Sequence, residues 1–290
     1  MDADLILAAS RDHATEATQQ AIAAGCDTIF ACGGDGTIHN IAQVLANSSV
    51  ALAILPMGTA NALAHDLRLP LKVTAAAQSA LRATPRRVAL GRVEYLDLCG
   101  NPGWRYFVIA AGVGVDAHLF YRLQGGAKQR MGMAAYYAKA WSLWFTYPMT
   151  RFVAEWVETG ALEAKTAEIR TAELTELLGV RIRNFGGVLQ ELAPGAALDR
   201  DDLRLVFCRT ASRLAYLAYV TRGLLRRRWT ISGIDLAHST RVSCRYRPEP
   251  WAGTAPQRKI YVEADGELLG TLPAEISVVP NALTLLAPSR

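Results

Sequence analysis

The sequence predicts a mixed α/β chain in two parts: a parallel sheet covered by helices over residues 1–90, and a β-rich part over residues 91–280. Three observations carry this. Short apolar runs alternate with Ala-rich helical stretches as far as Arg86. Beyond it, apolar runs are separated by turn signals. Two glycine clusters fall where early strands end. At 290 residues the chain is also near the size at which single cores stop growing, which favours two domains.

In order, residues 5–9 read as a buried strand and 13–24 as a helix closed by Gly25. Residues 28–32 form a second strand leading into glycines, 38–46 a helix, 50–55 a third strand and 60–67 another helix. Ligands of such sheets bind beyond the carboxyl ends of the strands, where loops 33–37 and 56–61 both lie. In the second part, strands are expected at 88–97, 105–110, 179–184, 203–208, 241–246, 260–264 and 275–279. Helices near 132–146 and 211–228 interrupt them, and 161–175 reads as a polar, acidic surface excursion.

Composition narrows the class. With 51% hydrophobic and 20% charged residues, the chain is neither disordered nor collagen-like. The net charge of +5 fits an anionic ligand or an anionic membrane surface, and falls short of a nucleic-acid footprint. Five widely spaced cysteines without a CxxC pair argue against a disulfide framework or a zinc site, and for a reducing cytoplasm. The first residues have no signal-peptide pattern, and no run of about 18 apolar residues could span a bilayer.

The strongest local motif is Gly33-Gly34-Asp35-Gly36-Thr37, between a strand and a helix. Its glycines admit close backbone approach, and the helix start offers free N–H groups to phosphate. Asp35 is a hard oxygen donor suited to Mg²⁺ or a ribose hydroxyl. A second loop, Pro56 to Asn61, repeats the geometry, with Gly58 for close approach and Thr59 as the expected N-cap of the next helix. Gly112 to Ala117 reads GVGVDA and satisfies a dinucleotide-binding pattern. That reading fails, because residues 117–154 hold no acid to meet a ribose. Within this stretch, Met133, Tyr136, Tyr137, Ala140, Trp141, Trp144 and Phe145 mark one helix face, core-facing or membrane-facing. Residues 214–229, ending in three arginines and a tryptophan, are a second membrane candidate. The five histidines show no metal spacing, although His39 lies close enough to the first motif to touch a nucleotide. No Walker, HRD or DFG pattern occurs.

Together, GGDGT and LPMGTANALAHDL resemble the diacylglycerol-kinase catalytic-domain family, which includes bacterial lipid kinases and sphingosine kinases and is more distantly similar to NAD kinases. GVGVDA, then Lys128, Gly132 and Tyr136, then the segment 184–198, then Asp265-Gly266-Glu267 and the chain end continue the resemblance in order. The resemblance implies an NAD-kinase-like three-layer nucleotide domain, rejoined by residues 281–290, and a C-terminal β-sandwich for the lipid substrate. It implies ATP at Gly33, Gly34, Asp35, Gly36, Thr37, Gly58, Thr59 and Asn61, with Mg²⁺ on Asp35. By the same resemblance Asp265 orients a lipid hydroxyl and accepts its proton, Glu267 supports metal or nucleotide, and Asp116 faces the interdomain cleft. The implied activity is phosphoryl transfer from ATP to a diacylglycerol- or sphingosine-type lipid, by a cytoplasmic enzyme peripheral at the inner membrane. Exposed sheet edges would suit a homodimer. A non-catalytic lipid- or nucleotide-binding protein of this fold and an NAD kinase-like enzyme are the alternatives.

Four departures stand against the family pattern. Its opening strand and NPxSG-like loop have no counterpart before residue 5, which implies either a truncated start or an altered ATP site. Asn40 stands where Glu is common, and Ala62 where an acid often follows GTxN. Residues 199–204 depart from DDGxLD, which argues against a second, structural Mg²⁺ site.

Overall fold

The computed structural model describes residues 3–118, 146–159, 168–185, 192–225, 230–248 and 258–288. The expected aromatic helix near 132–146, the triple arginine at 226–228, and Lys128, Gly132, Tyr136, Gly186 and Gly187 lie outside them. Among the described residues no helix is long and apolar enough to cross a membrane.

The chain is mixed α/β with one large hydrogen-bonded sheet. Helix α1 (Arg11–Ala23) precedes strand β1 (Thr28–Gly33), helix α2 (Asp35–Leu45) and strand β2 (Ala51–Pro56). Strands β1 and β2 pair in parallel, from Thr28 opposite Ala51 to Gly33 opposite Pro56. Every residue of β2 is buried, as an inner parallel strand requires. Helices α3 (Ala62–Asp66) and α4 (Val73–Ala80) follow. Ile38 and Leu45 of α2 meet Leu52 and Ile54 of β2 and Leu63 of α3 in one core, joined by Leu283 and Leu285 from the chain end.

Strands then dominate: β3 (Thr84–Leu96), β4 (Pro102–Phe107), β5 (Ala110–Gly114), β6 (Phe152–Trp156), β7 (Arg170–Leu174), β8 (Glu176–Val180) and β9 (Leu203–Cys208). Helix α5 (Arg213–Leu224) precedes β10 (Ile234–Ser239), β11 (Arg241–Tyr246), β12 (Tyr261–Ala264) and β13 (Glu267–Ala287). The 21-residue β13 pairs antiparallel with β12, β11 and β3. Its residues Thr284–Leu286 then pair in parallel with Ala51–Ala53 of β2.

Residues 5–9 do not form the expected strand. Leu5 and Leu7 are 84% and 81% exposed. Among the described residues β1 pairs with β2 alone, so no strand ladder takes up the backbone groups of residues 5–9, and the Ala9 N–H donates to His13 Nδ1 instead. The expected acidic excursion is partly β7, which alternates polar and apolar residues and pairs with β6. GVGVDA is half strand, Gly112–Gly114 closing β5, and half the helical turn that follows it. Gly112 is required there because the Asp116 carboxylate folds back over it: an added Cβ would lie 2.4 Å from Asp116 Oδ2.

Arg181, fully buried after β8, stitches these segments together. Its Nη1 donates to the carbonyls of Arg200 (2.6 Å) and Asp202 (2.5 Å), and its Nη2 to those of Ala89 and Leu198 (both 3.1 Å). Burial pulls the guanidinium down to about 10, against the opposing pull of Asp202, Asp201 and Asp199. The Asp202 carboxylate is met by Arg200 and His238. The 199–202 loop is therefore filled by side-chain cations, and its donors do not fit a structural metal. Arg181→Met should cost about 3 kcal/mol, because four buried carbonyls lose a charged donor together. Urea unfolding of the two proteins, with and without EDTA, measures the loss and should show no dependence on divalent metal.

Candidate functional site

The two glycine turns meet at the carboxyl ends of β1 and β2. Met57 N–H donates to the Gly33 carbonyl (2.9 Å). A Cβ on Gly58 would sit 2.5 Å from Gly34 Cα and 2.9 Å from Asn61 Oδ1, so the turns touch backbone to backbone. Asn61, left-handed at φ 46°, turns its side chain back on Gly58: Oδ1 accepts from Gly58 N–H and Nδ2 donates to Gly58 O, both at 2.8 Å. Asn61, not Thr59, is therefore the N-cap residue of α3, and Thr59 stays exposed in the turn. Helix α2 is capped by Gly34, which has no side chain to occupy the first N–H groups, and Gly36 faces open space. This arrangement suits an anion lying over the start of α2.

Asp35 stands at that start, half-buried. Burial raises its carboxyl above the ordinary value, the N–H groups of Ala62, Leu63 and Asn61 counter this, and the charge of Asp265 raises it further. Its Oδ1 is buried without a hydrogen-bond partner among the described residues. An orphaned hard oxygen beside a phosphate-type cradle fits Mg²⁺, which takes one or two carboxylates and completes its shell with phosphates and water.

Asp265 approaches from the other side. Strands β12 and β13 are joined by a two-residue hairpin turn, Asp265-Gly266, with φ of 48° and 79°. The Asp265 side chain is 1% exposed. Its Oδ2 accepts from Val108 N–H (2.8 Å) and His39 Nδ1 (2.6 Å), and its Oδ1 from Ile109 N–H (2.9 Å) and Ala110 N–H (3.0 Å). Four donors fill the four acceptor positions of a carboxylate. The expectation that Asp265 itself receives the substrate hydroxyl thus meets a carboxylate closed off from solvent. Glu267, two residues on, is 19% exposed, the less buried of the motif's two carboxylates. It pairs with Arg105 (3.0 Å) and with Arg11.

His39 and Arg105 are the residues that motif reading missed or misplaced. His39 points to Asp265 rather than outward, and Arg105 Nε donates to its Nε2 (2.8 Å). Arg105 Nη2 also reaches Asn40 Oδ1 (3.0 Å), so the Asn40 departure leaves a neutral partner for that guanidinium. Only the 2.0-periodic position of Arg105 in an apolar strand, a charge where the strand should bury, could have signalled it.

Asp116 gathers a different set. Glu176 Oε2 accepts from the N–H groups of Val115 (2.8 Å) and Asp116 (3.2 Å). Burial and the Asp116 charge push Glu176 well above the ordinary glutamate range. Burial raises Asp116 as well. Glu263, raised well above its ordinary value by burial and then by Asp116, feels Asp265 too and so lies electrostatically between the two aspartates. The structure therefore brings Asp35, Asp265 and Glu267 to one seam, with Asp116 one carboxyl removed.

Two predictions follow from this geometry. Gly58→Ala should weaken binding of any phosphate ligand by about tenfold or more, because the turn must open to admit the methyl group; isothermal titration against a nucleotide panel measures it. The second concerns pH. A carboxyl raised in the native state stabilises fully below its unfolded value, near 4.5 for Glu176, and that contribution is lost as pH rises through the native value. Glu176→Gln should therefore show a shallower fall in stability than the parent as pH rises above the ordinary glutamate range, read by urea midpoints.

Comparison with known proteins agrees with the motifs. Residues 1–93 match the profile of the diacylglycerol kinase catalytic domain. A diacylglycerol kinase of Mycobacterium tuberculosis is 31% identical over 275 residues, covering 92% of this chain and 79% of that protein. A diacylglycerol kinase of Bacillus subtilis is 25% identical over 280 residues, covering 96% and 83%. The crystal structure of a diacylglycerol kinase from Bacillus anthracis str. Sterne superposes with a TM-score of 0.65 at 17% identity, over 96% of this chain and 82% of that one, and supports the fold. On the strength of the tuberculosis relative and the matching catalytic-domain profile, the chain belongs to the diacylglycerol kinase family of phosphotransferases.

Proposed function

We propose that the protein is an ATP-dependent lipid kinase that transfers the γ-phosphate to the hydroxyl of a diacylglycerol- or sphingosine-type lipid. The observation that carries this reading is the meeting of the two halves of the site: Asp265 of the β12–β13 turn is hydrogen-bonded to α2, and its charge is felt by Asp35 at the start of that helix. A phosphate donor over α2 and an acceptor beside the turn would face each other there.

In this reading the nucleotide domain is residues 1–90 with the chain end, and residues 91–280 form a sandwich that receives the lipid. The phosphates lie between Gly33–Thr37 and Gly58–Asn61. Mg²⁺ held by Asp35 would neutralise charge on the transferring group. Asp265 is the buried anchor of its turn, and Glu267, open to the cleft, orients the acceptor hydroxyl and takes its proton. Arg105 and Arg11 keep Glu267 in place. Asp116 acts through the carboxyls beside it. Rate enhancement comes from positioning and charge neutralisation rather than covalent chemistry.

A lipid partner is supported by α5. Its Tyr216 and Tyr219 pack inward, while Leu214, Leu217 and Leu224, with Leu225 just past its end, are exposed, Leu214 at 77%. An apolar face of this kind marks an interaction surface, and a peripheral contact with an anionic bilayer at the inner membrane suits it.

The test is phosphate transfer from labelled Mg-ATP to a lipid panel in mixed micelles. The parent should label one lipid class, and Glu267→Gln and Asp265→Asn should each lower kcat by about 10²-fold or more. Asp265→Asn fails by a separate route: its amide NH₂ confronts N–H donors that the carboxylate accepted. A folded parent that binds lipid or ATP without turnover would make it a binding protein instead.

A further inference from the structure

We infer that His39 and Arg105 are positioning residues, a relay that holds the 265–267 turn against helix α2 and so sets the spacing between Asp35 and Glu267. It deepens the kinase reading and rests on it for its kinetic consequences.

The relay starts one helical turn beyond Asp35, where His39 lies on the same helix. An arginine Nε–H can only donate. Because Arg105 Nε meets His39 Nε2 at 2.8 Å, that nitrogen must be the acceptor. The ring proton then sits on Nδ1, which donates to Asp265 Oδ2 at 2.6 Å. Gln43 does not compete for it. Its amide is spent on Tyr106, donating to the carbonyl (2.9 Å) and accepting from the N–H (3.0 Å), so toward His39 it too presents only a donor. The tautomer is therefore fixed by neighbours that cannot reverse their roles.

The second link is Arg105 itself. With Nε on His39, its Nη2 joins Asn40 of α2 to Glu267 of the turn. Side chains 39 and 265 are only 3% and 1% exposed, so water cannot replace a broken link. Neither positioning residue is needed to touch phosphate. Both decide where Glu267 stands when phosphate arrives at the other end of the same helix.

The experiment uses the conservative pair at residue 39. An Asn amide nitrogen overlays His Nδ1, whereas a Gln amide overlays Nε2. His39→Asn, which keeps the donor to Asp265, should retain kcat within about threefold, while His39→Gln and His39→Ala should lose about 10²-fold with an unchanged KM for ATP. Nitrogen-15 spectra of the imidazole should show Nδ1 protonated and Nε2 bare, with the Nε2 signal shifting in Arg105→Met. A proton on Nε2, full activity in His39→Ala or His39→Gln, or a loss confined to the KM for ATP would overturn the relay. If His39→Ala does not fold, the Asn and Gln variants decide. If the parent turns over no lipid, the kinase reading fails on its own, and the nitrogen spectra still test the tautomer and the Arg105 link.

Discussion

Asp265 is a carboxylate sealed at a joint of segments remote in sequence, and the site depends on its remaining fully hydrogen-bonded. Three consecutive backbone N–H groups after β4 and one imidazole supply its partners. An uncompensated charge at this depth would cost several kcal/mol, so the four donors are held in place by what they prevent as much as by what they contribute. The hairpin turn, the β4–β5 connection and helix α2 are thereby locked to one another. Asp35 and Glu267 inherit their positions from that lock. A carboxylate so completely satisfied is a better anchor than a base, and of the two carboxylates Glu267 is the more exposed.

The early elements were legible because their signals are local. An Ala-rich helix, a strand running into glycines, a helix after them and a continuous apolar strand read directly as α1, β1, α2 and β2. Strands β9 and β11 coincide with their apolar runs for the same reason. Residues 5–9 misled because an apolar run says nothing of whether a neighbouring strand is there to pair with it. Strand β5 was hidden by glycines whose purpose is space for Asp116 and for the Thr175 carbonyl, not chain reversal. In the site, motif residues such as Asp35 and Gly58 could be named from sequence. The direction of His39, and the arginine that fixes it, could not, because both depend on partners 66 and 226 residues away.

Charge in this protein is managed differently in its two parts. At the glycine turns negative charge is invited, by a helix start and by backbone brought close. Behind Asp116, three carboxyls share a buried region in which Glu176 and Glu263 are held toward their neutral forms. Around residues 199–202 the balance is reversed, and Arg181 and Arg200 serve where an ion could otherwise have been recruited.

The long strand β13 has a consequence for how the molecule is made. Residues 284–286 complete the sheet beside β2, which was synthesised near the other end of the chain. Until those residues are made, β2 has its neighbour on the β1 side alone and the core around Leu52 lacks Leu283 and Leu285. Strands β1 and β2 are thus made long before their β13 partner. A nascent chain carries the glycine turns for most of its synthesis on an open edge, the state most exposed to mispairing and to chaperone capture.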